Sequence, residues 1–73
     1  MSSSIYSKEY KKVVEQLKKV RLEAGLKQIE VAEKLGKPQS FVSKVERGER
    51  RLDITELKQF ADIYRKPINF FVK

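Results

Sequence analysis

The sequence predicts an all-α chain, and three observations carry that reading. Apolar residues recur at helical spacing through Tyr6, Tyr10, Val13, Val14, Leu17, Val20 and Ala24, and again through Ile54, Leu57, Phe60, Ala61 and Tyr64. Gly25 and Gly36 follow apolar-periodic stretches, where glycine can take the left-handed conformation that stops a helix. Pro38 and Pro67 stand where a new helix can begin, because the proline ring presets φ and its missing N–H is not needed in a first turn.

Taken in order, residues 1–6 read as a disordered N-terminal segment and residues 7–73 as one domain. Helix one is expected from Ser7 to Ala24, with Gly25 as its stop. Its apolar positions fall within an arc of about 120°, while Lys11, Glu15, Lys18, Lys19 and Glu23 face away. Arg21 is the exception, lying inside the apolar arc about 40° from Leu17. A charge there needs a partner, since an unpaired buried charge is expensive. Glu46 shows the matching anomaly at the edge of an otherwise apolar helix face. The two are therefore expected to form a largely buried salt bridge.

Between Gln28 and Gly48 the pattern is two short helices joined by the tight turn Gly36-Lys37-Pro38. Val31, Ala32 and Leu35 line one side of the first, and Ala32 is small where two helices would cross closely. This is the layout of a helix-turn-helix, whose second helix enters the DNA major groove. On that second helix Gln39, Ser40, Ser43, Lys44 and Arg47 share an arc of about 140°, with Val42 and Val45 opposite. The arc holds hydrogen-bonding groups and cations but no carboxylate. Glutamine suits adenine, lysine suits guanine and serine suits either, so Gln39, Ser40, Ser43 and Lys44 are the candidate base-contacting residues. Gln28, at the N-terminus of helix two, can reach a phosphate or cap the helix, and the phosphate is favoured. Arg47, Arg50 and Arg51 would hold phosphates from the loop after Gly48; the bland alternative is a solvated basic loop. Phe41 lies between the two faces and reads as a packing residue in preference to a thymine-methyl or sugar contact. Ile29 is either peripheral core or an apolar contact near DNA.

Asp53 and Glu56 have the spacing of a capping box and open helix four, with Ile54, Leu57, Phe60, Ala61 and Tyr64 as its buried stripe. Pro67 ends that helix and starts a short fifth one, and Ile68 and Phe71 close the core. Ile63 and Phe70 are left over as exposed apolar residues near the C-terminal end, the candidates for a dimer contact.

Composition bounds the function. Seventy-three residues make one small domain. With neither cysteine nor histidine, disulfides, thiol catalysis, histidine bases and the usual zinc sites are excluded. No nucleophile–base constellation or glycine-rich phosphate loop is visible, so no catalytic residue, metal or cofactor is expected. No apolar run approaches the ~20 residues of a membrane span. The opening MSSSIY lacks a signal-peptide core, so the expected location is cytoplasmic and nucleoid-associated. The net charge is +7, and residues 37–52 carry +3 of it, the densest positive segment. That is the electrostatic footprint of a DNA binder.

Arg21, Leu26, Gln28, Val31-Ala32, Leu35-Gly36, Gln39-Ser40, Val42-Ser43 and Glu46-Arg47-Gly48 together resemble the Cro/repressor-type helix-turn-helix regulators of the XRE family, over about Leu17 to Phe71. The resemblance implies a compact five-helix bundle of the lambda-repressor-like type that binds operator DNA, commonly as a homodimer. It implies the Arg21–Glu46 pairing as well. Three positions depart from the family pattern: Lys27 replaces a capping Ser or Thr, Lys37 an apolar residue, and Ile29 a polar one. A protein-interaction module on the same scaffold, such as the antitoxin of a toxin pair, is the alternative reading.

Overall fold

The computed structural model describes residues 8–72, so the expectations for residues 1–6, for Tyr6 and for a helix start at Ser7 lie outside the described residues. Four α-helices follow one another: α1 (Lys8–Glu23), α2 (Gln28–Leu35), α3 (Gln39–Glu46) and α4 (Ile54–Tyr64). The expected fifth helix is instead a single 3-10 turn, Ile68–Phe70. Its bonds run from Phe70 N–H to Pro67 carbonyl (2.9 Å) and from Phe71 N–H to Ile68 carbonyl (3.0 Å). The physical reason is one of space: the chain must aim Phe71, which is 6% exposed, into the core within four residues of Pro67. The tighter winding does this where a full α-turn would carry the ring past its socket.

The core is a single cluster to which every helix contributes. Leu17 of α1, Val31 and Ala32 of α2, Val42 and Val45 of α3, and Phe60 of α4 are each fully buried. Burying a Leu, Val or Phe side chain contributes roughly 1.5–3 kcal/mol. The absence of a side chain beyond Cβ at Ala32 lets α2 and α3 approach. Leu52 and Phe71 plug the cluster from the connecting segments.

All four helices end in the same hydrogen-bonded closure, in which a residue just past the helix donates to the carbonyl five positions earlier. Leu26 donates to Arg21, Lys37 to Ala32, Glu49 to Lys44 and Lys66 to Ala61, at 2.8–3.1 Å. This closure requires one left-handed residue. Gly36 supplies it in the turn between α2 and α3 (φ 70°), whereas α4 uses Arg65 (φ 58°). An L-residue with a side chain pays roughly 1–2 kcal/mol in that region. The start of α4 offsets part of this. Glu56 N–H donates to Asp53 Oδ1 (2.7 Å) and Asp53 N–H to Glu56 Oε1 (3.0 Å), a reciprocal capping box.

Four sequence expectations need correction. Ile54 is 65% exposed and not part of the buried stripe, because as the first helical residue after the Asp53 cap it lies beyond the end of the core. Ala24 is exposed, since it falls in the turn after α1 ends. Pro38 is the cap of α3 and not within its first turn, with φ −70° and ψ 156°. Ile63 and Phe70 are half-buried and pack against the core, because the 3-10 turn folds back on α4. The exposed large apolar residues among those described are Leu22, Ile29, Ile54 and Val72.

Candidate nucleic-acid interface

Helix α3 divides as its sequence dictates. Val42 and Val45 are fully buried, while Gln39, Ser40, Lys44 and Arg47 are exposed and Ser43 is half-buried. No acidic residue stands on the exposed face, so it presents an amide, hydroxyls and cations to solvent.

What fixes this face in space is the Arg21–Glu46 pair. Arg21 Nε donates to Glu46 Oε2 (2.7 Å) and Nη2 donates to Glu46 Oε1 (3.0 Å), a two-pronged contact from α1 to the last residue of α3. The side chains are 8% and 3% exposed, so the charges are desolvated together. Arg21 Nη1 also donates to the Leu26 carbonyl (2.8 Å), tying the α1–α2 turn into the same node. The hydrogen bond to Glu46 raises the Arg21 pKa above the ordinary guanidinium value, and burial opposes it.

Gln28, expected at a phosphate or in a cap, is half-buried and donates through Nε2 to Glu46 Oε1 (3.0 Å). Its Oε1 accepts from Gln39 Nε2 at 3.5 Å. The first residue of α2 therefore touches the first residue of α3. Lys27, lacking a side-chain acceptor, leaves half a capping box: its backbone N–H donates to Glu30 Oε1 (2.7 Å).

The basic loop is more ordered than its charge suggests. Tyr10 of α1 sends its hydroxyl under it, donating to the Arg50 carbonyl (3.3 Å) and accepting from Leu52 N–H (3.0 Å). Arg51 lies over the Tyr10 ring at 4.9 Å. Arg50 contacts the Glu56 carboxylate (2.8 Å), donates to the Arg51 carbonyl and lies over the Phe41 ring at 5.1 Å. Arg47 donates to Ser43 Oγ (2.6 Å) and to both oxygens of Glu49 (3.1 Å). Arg47 in turn holds the Glu49 carboxyl below the usual carboxylate range.

Phe41 packs against the fully buried Phe60, with ring centroids 6.3 Å apart. Its outer part also draws Lys37 (5.4 Å). An apolar residue at position 37 would bury itself; the lysine keeps its charge in solvent and uses the ring as a rest.

The site residues singled out from the sequence all lie among the described residues, but two groupings escaped the sequence. Tyr10 counted only as one apolar position of α1, and no local pattern couples it to a loop forty residues away. Glu49 and Glu56 answer Arg47 and Arg50; their closeness in the chain was the available signal. Among the described residues no cluster of acidic side chains could hold a metal, and no helix is long and apolar enough to cross a membrane.

Comparison with known proteins agrees with this geometry. A helix-turn-helix family model matches residues 17–71, from the middle of α1 to the Phe71 plug. A search of curated proteins returned no match. The matched span contains the Arg21–Glu46 node, both helices of the motif and the basic loop, and it covers well over half of the chain. The chain belongs to the Cro/C1-type helix-turn-helix family, the XRE family of DNA-binding transcription regulators, whose members are typically not enzymes.

Proposed function

We propose that the protein is a repressor that binds a near-palindromic operator as a homodimer on cytoplasmic DNA. The observation that carries this reading is the exposed, carboxylate-free face of α3, locked to α1 by a buried ion pair. Gln39, Ser40, Ser43 and Lys44 read base edges. Arg47, Arg50 and Arg51 meet phosphates, exchanging their present carboxylate, hydroxyl and ring partners for them. Two such helices related by a two-fold axis meet half-sites one turn apart, ~34 Å. The subunit contact lies at the C-terminal end, where Ile63 and Phe70 keep part of their surface exposed beside Val72.

The test is selection of binding sites from random duplex DNA by the wild-type protein and by Gln39→Ala. An enriched palindrome, altered at one position per half-site by the substitution, supports specific dimeric readout. Binding that tracks salt alone, with no enrichment, sinks it and favours a protein partner. Lys44→Ala is expected to cost ~1–3 kcal/mol on the selected site and to relax one base pair. Equal loss on all sequences would assign Lys44 to a phosphate.

A further inference from the structure

The turn before α3 and the loop after it bring two cations to one ring. Lys37 Nζ stands 5.4 Å from the centre of the Phe41 ring, and Arg50 Cζ stands 5.1 Å from it. The two charged groups are therefore no farther apart than the sum of those distances. Phe60 stacks on Phe41 from the core, which leaves the solvent side of the ring to the cations. The attraction of each to the ring offsets the repulsion between them. Arg50 has a carboxylate partner in Glu56 (2.8 Å), whereas Lys37 pairs with none among the described residues. Lys37, Arg50 and Glu56 together carry one positive charge, which one phosphodiester neutralises. At about 100° per residue, Phe41 lies about 60° beyond Lys44, just outside the polar arc of α3. A helix about 10–12 Å across fills a major groove about 12 Å wide, so its flanks meet the sugar–phosphate ridges and not the base edges. Position 37 is one of the places where this chain departs from the family pattern, so the second cation is its own.

We propose that Lys37 and Arg50, gathered on the Phe41 ring, form a two-cation site for a single phosphate of the DNA backbone at the edge of the groove that α3 enters. The ring holds the two side chains together before DNA arrives, which lowers the ordering cost of binding. On binding, the Lys37 ammonium and the Arg50 guanidinium turn to the phosphate oxygens, over hydrogen bonds of about 2.7–2.9 Å. Such a contact supplies affinity and register and leaves base choice to the polar arc. Phe41 is on this account a positioning residue. The proposal rests on the reading of α3 as the helix that enters the major groove.

The experiment measures binding of the full chain to the duplex that site selection returns, across a range of salt, with each phosphate in turn replaced by an uncharged methylphosphonate. Lys37→Gln is expected to weaken binding about tenfold at about 0.1 M salt on every sequence alike and to lower the salt slope by about one. Lys37→Arg should restore both. One methylphosphonate position should weaken binding of the wild-type protein and cost much less in Lys37→Gln and in Arg50→Gln, because each variant has already lost a cation facing it. Phe41→Leu keeps an apolar side chain against Phe60 and should also lose sensitivity at that position, with base preferences unchanged. Phe41→Met repeats the test should the leucine fail to pack, and unfolding curves show that the variant used is folded. If Lys37 and Arg50 map to different phosphates, the shared site is overturned. An unchanged affinity and salt slope in Lys37→Gln overturns it too, while an enriched operator leaves the reading of α3 standing. Full sensitivity in both folded Phe41 variants overturns the role of the ring. If selection enriches no site, the groove reading fails and the phosphate site with it.

Discussion

Arg21 and Arg47 each grip a carboxylate with two N–H groups, yet they stand at opposite ends of a gradient. Arg21 and Glu46 are 8% and 3% exposed, Arg50 and Glu56 are 43% and 18%, and Arg47 and Glu49 are 54% and 56%. The chemistry is the same and the surroundings differ. Inside, low dielectric strengthens the attraction but the ions have lost their water, so neither can release the other. Outside, water and salt stand ready to replace either partner, and the pair contributes little. The buried pair is suited to hold α3 at a fixed angle. The exposed arginines are suited to change partners, giving up a carboxylate for a phosphate at small cost.

The largest effect is expected at the buried end. Arg21→Met or Glu46→Leu alone should destabilise by ~3–5 kcal/mol in denaturant unfolding, because each leaves an unpaired buried charge. The double variant should lose much less than the sum, and strictly additive losses would show that the two side chains do not interact. In the middle of the gradient, Glu56→Ala removes both the reciprocal cap of α4 and the partner of Arg50. About 1 kcal/mol should be lost. A loss comparable to that at Arg21 would mean that burial is not what separates the pairs.

Tyr64 sharpens the contrast from another side, as a buried polar group without a partner. Its hydroxyl is buried with no hydrogen bond, and burial pushes the phenol pKa up, with the Glu46 charge adding to the rise and Arg21 opposing it. A folded-state pKa above the unfolded one means that stability is whole below about pH 10 and drains away as pH rises beyond it. Tyr64→Phe should be neutral or stabilising by up to ~1 kcal/mol at pH 7 and should blunt the alkaline loss. Marked destabilisation by phenylalanine would reveal a role for the hydroxyl. At the exposed end, Glu49→Gln should leave the unfolding curve nearly unchanged, because water and salt screen the pair. By freeing Arg47 it should also tighten binding to DNA of any sequence at low salt. Unchanged DNA affinity would remove Arg47 from the phosphate contacts.

Much of this was legible in the chain because it follows from period and punctuation. Arg21 announced its burial by standing in an apolar arc, and Glu46 answered it from another helix. Asp53 and Glu56 declared their cap three residues apart, and Gly36 its left-handed turn. Less legible were places where helix ends meet the rest of the molecule. Ile54 continues the apolar count of α4 yet lies past the core. Ile63 and Phe70 look superfluous until the 3-10 turn folds them inward.

The sequence by itself determined the four helices, their inward faces, the polar face of α3 and the family, since each is set by local spacing and by residue types that tolerate few conformations. Only the tertiary structure decided that Gln28 points to Glu46, that Tyr10 secures the basic loop from beneath, and that Phe41 gathers Lys37 and Arg50. Apart from Lys37 and Phe41, those contacts join residues whose separation along the chain carries no helical period. They exist because packing α1 and α2 against α3 brings long polar side chains within reach of one another.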